Sequence, residues 1–370
     1  MRNIYKYVYM ITVIIFVPLL LPAQWLETTI NVAYKPFALV WNSNDNKVYC
    51  VHDSSNTLTV IDGNTNTVVA NIIVPGGCPV TIIPYSLIWN SVNNKLYFNN
   101  CPYNTVSVVD CEGDSAITNI TVGTYPFSMV WNSLDNKIYC ANSVSNTVSV
   151  IDCVGDSVIT TISGGNTPVV LTWNSTNNKV YCTNRTSGTV SVIDGAGDSV
   201  ITTIPVGGGY AMLGWNPIEN KVYCANWDSG FISVIDGAGD SVITTITVGT
   251  QPDCFEFNLD NNKVYCGNIG DATVSIIDGA GDSVITTIVV GNNLTPIPIV
   301  WNSMNNKVYC AGEPDIVTVI DGVTDEVITT ITVGDWPWGM TWNSIQNRIY
   351  TANLWSSSIS VIRDNMGIEE

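Results

Sequence analysis

The tetrapeptide Asn-Lys-Val-Tyr, or a close variant of it, begins at Asn46, Asn94, Asn136, Asn178, Asn220, Asn262 and Asn306, and as Asn-Arg-Ile-Tyr at Asn347. The steps between copies are 48, 42, 42, 42, 42, 44 and 41 residues. A repeat near 42 residues whose segments alternate with period two argues for radially repeated sheets and against helical solenoids. The unit from Pro126 to Ser163 reads as four strands: Phe127 to Asn132, Lys137 to Asn142, Thr147 to Asp152 and Ser157 to Ser163. Each is rich in Val, Ile, Thr or Tyr and bounded by the turn formers Asn, Asp, Gly and Ser. Four antiparallel strands repeated around an axis make an all-β propeller.

Strand counting predicts how the ring closes. The eighth copy stops after its third strand, Ser358 to Arg363, while Leu26 to Val32 at the other end (LETTINV) matches a fourth strand such as Val242 to Val248 (VITTITV). The start of the mature chain is therefore expected to complete the last blade as its outer strand, leaving no unfinished edge. Eight blades are expected, with seven as the main alternative.

Ahead of the repeats, Arg2 and Lys6 precede an apolar run from Val8 to Leu21, with small Ala23 before Gln24. That order predicts a secretory signal over residues 1–23; an uncleaved anchor is the alternative. The propeller is expected over residues 24–363, and residues 364–370 as a short polar tail. Export would place the mature chain outside the cell or in its envelope, not spanning the membrane and acting as a monomer.

The blocks NKVYCAN, NTVSVID and SVITTITVG, followed by Pro and a Trp-Asn-Ser turn, resemble the YVTN-type β-propeller repeat, from about Trp25 to Arg363. The resemblance implies an exported or surface-layer propeller. Members of that family usually have seven blades, so eight units would be a departure. It implies little about activity, since these repeats mostly define a scaffold.

Composition removes several functions. The chain carries 13 Lys and Arg against 31 Asp and Glu; without Arg2 and Lys6 the balance is 11 to 31, a formal charge of −20. Nucleic acid, which is held chiefly by basic side chains, is an improbable partner. His52 is the only histidine, and no C-x-x-C-H occurs, which argues against multi-histidine metal centres and haem or quinone propeller enzymes. No cofactor and no metal are expected. The DGAGDS loops at Asp194, Asp236 and Asp278 lack the denser spacing of a calcium loop and are read as turns with solvated acids; weak cation binding shared with a neighbouring loop is the alternative.

The repeating side chains read as scaffold. The Lys that opens strand two should meet the Asp that ends strand three across the hairpin, as Lys137 with Asp152 or Lys179 with Asp194. Trp41, Trp89, Trp131, Trp173, Trp215, Trp301 and Trp342 end the first strands, with Phe257 in the sixth unit, and should wedge between sheets. Cys50, Cys140, Cys182, Cys224, Cys266 and Cys310 share one slot in strand two of different blades, too far apart for disulfides, and should be buried thiols. Cys78 and Cys101 lie in loops on one face and form the most plausible bridge. A bond between Cys111 and Cys153 is less expected, and Cys254 belongs to an inner strand.

Function is expected on the less regular face. The loops joining strands one to two and three to four repeat, whereas those joining two to three, and one blade to the next, vary; irregular loops on a rigid frame are where binding residues concentrate. Trp336, Trp338, Trp355, Trp227, Tyr210 and Arg185 fall there and are the binding candidates; the three last-unit tryptophans form one patch or merely cap the closing blade. The expected role is a noncatalytic surface or envelope scaffold that binds a protein or glycan. The alternative is a propeller hydrolase or lyase, lactonase-like or polysaccharide-active, with Glu256, Asp253 and His52 at an acidic channel mouth. It requires those three to converge in one cavity.

Overall fold

The computed structural model describes residues 23–53, 55–74, 86–209, 211–291 and 298–365. Eight four-stranded antiparallel sheets stand in a ring, as the strand count predicts. Blade three runs Pro126–Asn132, Lys137–Asn142, Thr147–Asp152 and Ser157–Ser163 from axis to rim. Blade eight is completed by Gln24–Asn31, which pairs antiparallel with Ser358–Asp364. The inner strand of that blade, Pro337–Asn343, lies against the inner strand of blade one, Pro36–Asn42, and the ring is closed. Among the described residues no helix is long and apolar enough to cross a membrane.

Local chemistry explains why the turns recur. In the turn between the first and second strands of each blade, Trp-Asn-Ser-x-x-Asn-Lys in five of the eight, the last Asn is left-handed, with φ from 50° to 57° at Asn46, Asn94, Asn136, Asn178, Asn220, Asn262, Asn306 and Asn347. Asn tolerates that region better than most residues because its short polar side chain bonds locally. The first Asn caps the turn, as when Asn42 Oδ1 accepts from the Asn44 amide at 2.8 Å.

The core lies between blades rather than within them. In Lys137–Asn142, Tyr139 and Ala141 pack toward blade four with Leu171, Val180 and Cys182, while Ile138 and Cys140 pack toward blade two with Tyr97, Val106 and Val108. Side chains that alternate across a strand thus serve two cores. Each fully buried large side chain contributes roughly 1.5–3 kcal/mol. The recurring Trp rings fill the same spaces: Trp89 packs against the cluster holding Tyr49, and Trp173 against that holding Tyr139. Six of them also donate Nε1–H to the left-handed Asn of their own turn at 3.1–3.3 Å. At the break in this pattern, Phe257 stacks with Phe255 and lies near Tyr223, and Gly214 faces it; a Cβ at Gly214 would meet the Phe257 ring at 2.7 Å.

Two polar lattices tie neighbouring blades together, and one corrects the expected charge pairing. Lys137 and Asp152 are Cα partners, as the hairpin register requires. The Lys137 ammonium nevertheless bonds Asp198 of blade four at 2.8 Å, and the Tyr139 hydroxyl donates to the other oxygen of that carboxylate at 2.5 Å. The pattern repeats as Lys47–Asp114, Lys95–Asp156, Lys179–Asp240, Lys221–Asp282 and Lys263–Asp325. The long lysine reaches past its hairpin partner because the next sheet stands beside it. The second acid of each D-G-x-G-D loop is therefore an ion-pair partner between blades, not a solvated turn charge. In the second lattice, the turn-capping Asn of each blade donates to the left-handed Asn of the next at 2.5–2.9 Å around all eight junctions.

The chain end also differs from expectation. The last strand runs through Asp364, which was expected to begin a polar tail. Its fully enclosed carboxylate accepts from Gln24 at 3.0 Å, Asn302 at 2.7 Å and Asn305 at 2.6 Å and pairs with Lys307 at 3.3 Å. It takes the place of a loop acid that blade eight, ending after three strands of its own, cannot supply. The six thiols of the shared slot are unbridged and buried, as are Cys111 and Cys153. Cys78 lies outside the described residues, and Cys101 is buried beside the Pro126 carbonyl, its Sγ donating at 2.7 Å.

Candidate functional site on the irregular face

Blade-to-blade connections on the irregular face share an unusual backbone feature. Lys35, Tyr125, Thr167, Gln251 and Trp336 each precede the proline that opens an inner strand, and each has φ between 54° and 62°. Non-glycine residues enter this region at a cost of order 1–3 kcal/mol, and such positions cluster at binding and switch sites. Here one strained slot carries five different side chains, in contrast to the uniform turns on the opposite face.

At the ring closure this slot builds an aromatic and cationic cluster. Trp336 and Trp355 meet edge to face with ring centres 5.9 Å apart. Lys35 Nζ sits 4.8 Å from the centre of the Trp355 ring and 5.5 Å from that of Tyr34, and bonds Asp53 at 3.1 Å. Trp355 and Tyr34 are 45% and 57% exposed, enough to offer ring surface to a partner. The backbone holds them in place: the Trp336 amide donates to Pro314 O at 2.9 Å and the Leu354 amide to Trp336 O at 2.9 Å. Trp338 lies on the inner strand itself, its ring 5.1 Å from Phe37 of blade one. The structure thus joins two of the three expected tryptophans and gives the third to a blade junction.

A second feature lies across blades four to six. Arg185, Trp227, Asp228 and Asp253 line a cavity of about 240 Å³. Arg185 follows the strand Lys179–Asn184, Trp227 follows Lys221–Asn226, and Asp253 stands in the inner strand Pro252–Asn258. Burial pushes the Asp253 carboxyl up to about 7. Tyr210 lies outside the described residues. A larger crevice of about 600 Å³, between the closing strand and the rim of blade one, is lined by Asn31, Val32, Ala33, Thr57, Val68, Asn71 and Ile73, none of them titratable.

The three residues of the expected acidic site do not converge. His52 is in blade one, 4% exposed, with Nε2 2.8 Å from Thr59 Oγ1, and burial lowers its pKa to about 4. Glu256 accepts from the Trp301 amide of blade seven at 3.2 Å, and burial raises its carboxyl to about 8. Asp253 shares a cavity with residues of blades four and five, so the two carboxylates of one strand serve opposite sides of blade six.

Sequence reading missed Tyr34, Lys35 and Asp228. Each adjoins a strand end on the irregular face, and Asp228 directly follows Trp227. Their signal was placement in a varied loop, which does not tell which of many polar loop residues meet.

No family model and no curated relative matches the chain. Among solved structures it is similar to the computationally designed protein Ika8, with a TM-score of 0.72 at 15% identity, covering 91% of this chain and 99% of that one. It is also similar to Kuenenia stuttgartiensis hydrazine synthase, with a TM-score of 0.61 at 18% identity, covering 89% and 95% of the two chains. At these identities the likeness is one of fold.

Proposed function

We propose that this chain is an exported, noncatalytic β-propeller scaffold whose irregular face binds a protein or glycan at the cell surface or envelope. The observation that carries the reading is the contrast between the two faces. One face consists of turns that bond one blade to the next. The other holds exposed aromatic rings, a fixed cation and a small cavity on strained connections. Rigid aromatic anchors beside charged groups are what recognition surfaces use. The charged start and apolar run of residues 1–23 support export, and the repeat blocks that resemble the YVTN type are in keeping with a surface role.

The test uses the full chain and a form starting at residue 23. Cell fractionation of the full chain should place it in the envelope or medium, and the shorter form should bind isolated envelope material. Trp355→Ala combined with Trp227→Ala should weaken that binding at least tenfold. Cytoplasmic retention, or binding untouched by the double variant, overturns the reading.

A specific observation keeps the enzyme alternative in view: the raised carboxyls of Asp253 and Glu256 sit in the range useful for proton transfer. Their placement on opposite sides of blade six argues against a shared reaction centre.

A further inference from the structure

We propose that the cavity lined by Arg185, Trp227, Asp228 and Asp253 is a sugar subsite that takes one neutral pyranose ring of an oligosaccharide. The inference deepens the proposed partner-binding role of the irregular face and rests on it.

Size comes first. A volume of about 240 Å³ lies just under the roughly 300–1,000 Å³ of sites for drug-sized ligands, which suits a single ring. The lining chemistry then narrows the class. The Trp227 indole offers an apolar plane to the C–H face of a sugar, and Asp228, Asp253 and Arg185 offer acceptors and donors to its hydroxyls. An apolar ligand would strip water from three polar groups without replacing their hydrogen bonds. An ammonium group would lie beside the Arg185 guanidinium, and an anion would face two carboxylates. A neutral polyol meets none of these penalties. Because burial brings Asp253 up to about 7, its carboxyl is partly protonated near neutral pH and can donate as well as accept.

The backbone that carries the lining is held in place, which lowers the ordering cost of binding. The Arg185 amide donates to Thr167 O at 2.9 Å, and the turn after Trp227 is held by Ser229 N to Asn226 O at 3.1 Å. Gly209 leaves space for Asp228: a Cβ there would come within 1.9 Å of its Oδ2, and its φ of +96° itself favours glycine.

The experiment titrates the form starting at residue 23 with neutral gluco-, manno-, galacto- and N-acetylglucosamine tetrasaccharides, and separately with tetramethylammonium, by calorimetry and tryptophan fluorescence. At least one tetrasaccharide should bind and perturb the fluorescence. Its affinity should fall about tenfold in Trp227→Ala and in Asp253→Ala and stay within about twofold in Leu134→Ala, an exposed turn position on the opposite face. Thermal melts establish that each variant is folded, and Arg185→Ala replaces any that is not. Failure of every tetrasaccharide, sugar binding indifferent to Trp227, or tetramethylammonium binding in place of sugar each overturns the subsite. Envelope binding that survives such a result leaves the broader reading intact; loss of both removes the two together.

Discussion

Asn343 donates its side-chain amide to Oδ1 of Asn46 at 2.8 Å, joining residues 297 positions apart. This bond is the eighth step of the asparagine belt and the one that closes it. Beside it, Arg348 holds Glu27 through two bonds of 2.6 Å and donates to Gly63 O at 2.8 Å, while the Tyr350 hydroxyl donates to Asn66 at 2.6 Å. Blade one has Asn66 where blades two to seven have the ion-pairing acid Asp114, Asp156, Asp198, Asp240, Asp282 or Asp325, and the cation of blade eight finds its carboxylate on the closing strand instead.

Glu27→Ala leaves the partly buried Arg348 guanidinium without its carboxylate. It should lower stability by about 1 kcal/mol, measured by urea unfolding. Deleting residues 24–31 should cost far more, because the strand Ser358–Asp364 becomes a bare edge; lower melting and self-association in gel filtration are expected.

Asp198→Ala leaves Lys137 and Tyr139 to share the Gly195 carbonyl as their partner in blade four. The expected loss is about 2 kcal/mol in urea unfolding. Asp194→Ala, which removes an acceptor for the Ala196 turn amide at 3.2 Å, should cost under about 1 kcal/mol. Equal losses would return the lysine pairing to the hairpin.

Stability should depend on pH with opposite signs at the two ends. Glu256 has its carboxyl raised from 4.5 to about 8, so the folded form holds a proton that the unfolded chain releases. Its contribution is full below about pH 4.5 and lost as pH rises through 8. Asp253, raised from 3.8 to about 7, adds in the same direction. His52, lowered from 6.5 to about 4, acts oppositely: its contribution is full above about 6.5 and lost as pH falls through 4. Glu256→Gln should therefore raise the melting temperature relative to the parent more at pH 9 than at pH 5. A difference that does not change with pH would contradict the desolvated carboxylate.

The repeated thiols should be silent in the folded protein. Burial raises Cys182 and Cys224 to about 12 and pushes Cys50, Cys140, Cys266 and Cys310 up as well. Thiolate is the reactive form, so these six should resist a disulfide reagent until urea is added. Rapid native labelling at any of them, mapped by peptide mass, would contradict that burial.

Most of the fold was legible because it is periodic. The four strands of residues 126–163 were placed within one residue, since alternation and turn formers are local signals. Closure by the first strand was legible too, from its likeness to the fourth strands. The lysine pairing was not: hairpin register predicts Lys137 beside Asp152, and it takes the neighbouring blade to present Asp198 closer to the ammonium.

The sequence by itself determined the eight blades, the closing strand, the buried thiol slot and the face on which variation concentrates, because each follows from local pattern repeated at a constant period. Tertiary structure alone decided which varied residues meet. Trp336 turns to Trp355 and Lys35 covers Trp355, while Asp253 and Glu256, three residues apart, serve opposite sides of one sheet. Such meetings depend on the angle between blades and on strained connections, and these arise from packing among all eight sheets, which no single repeat encodes.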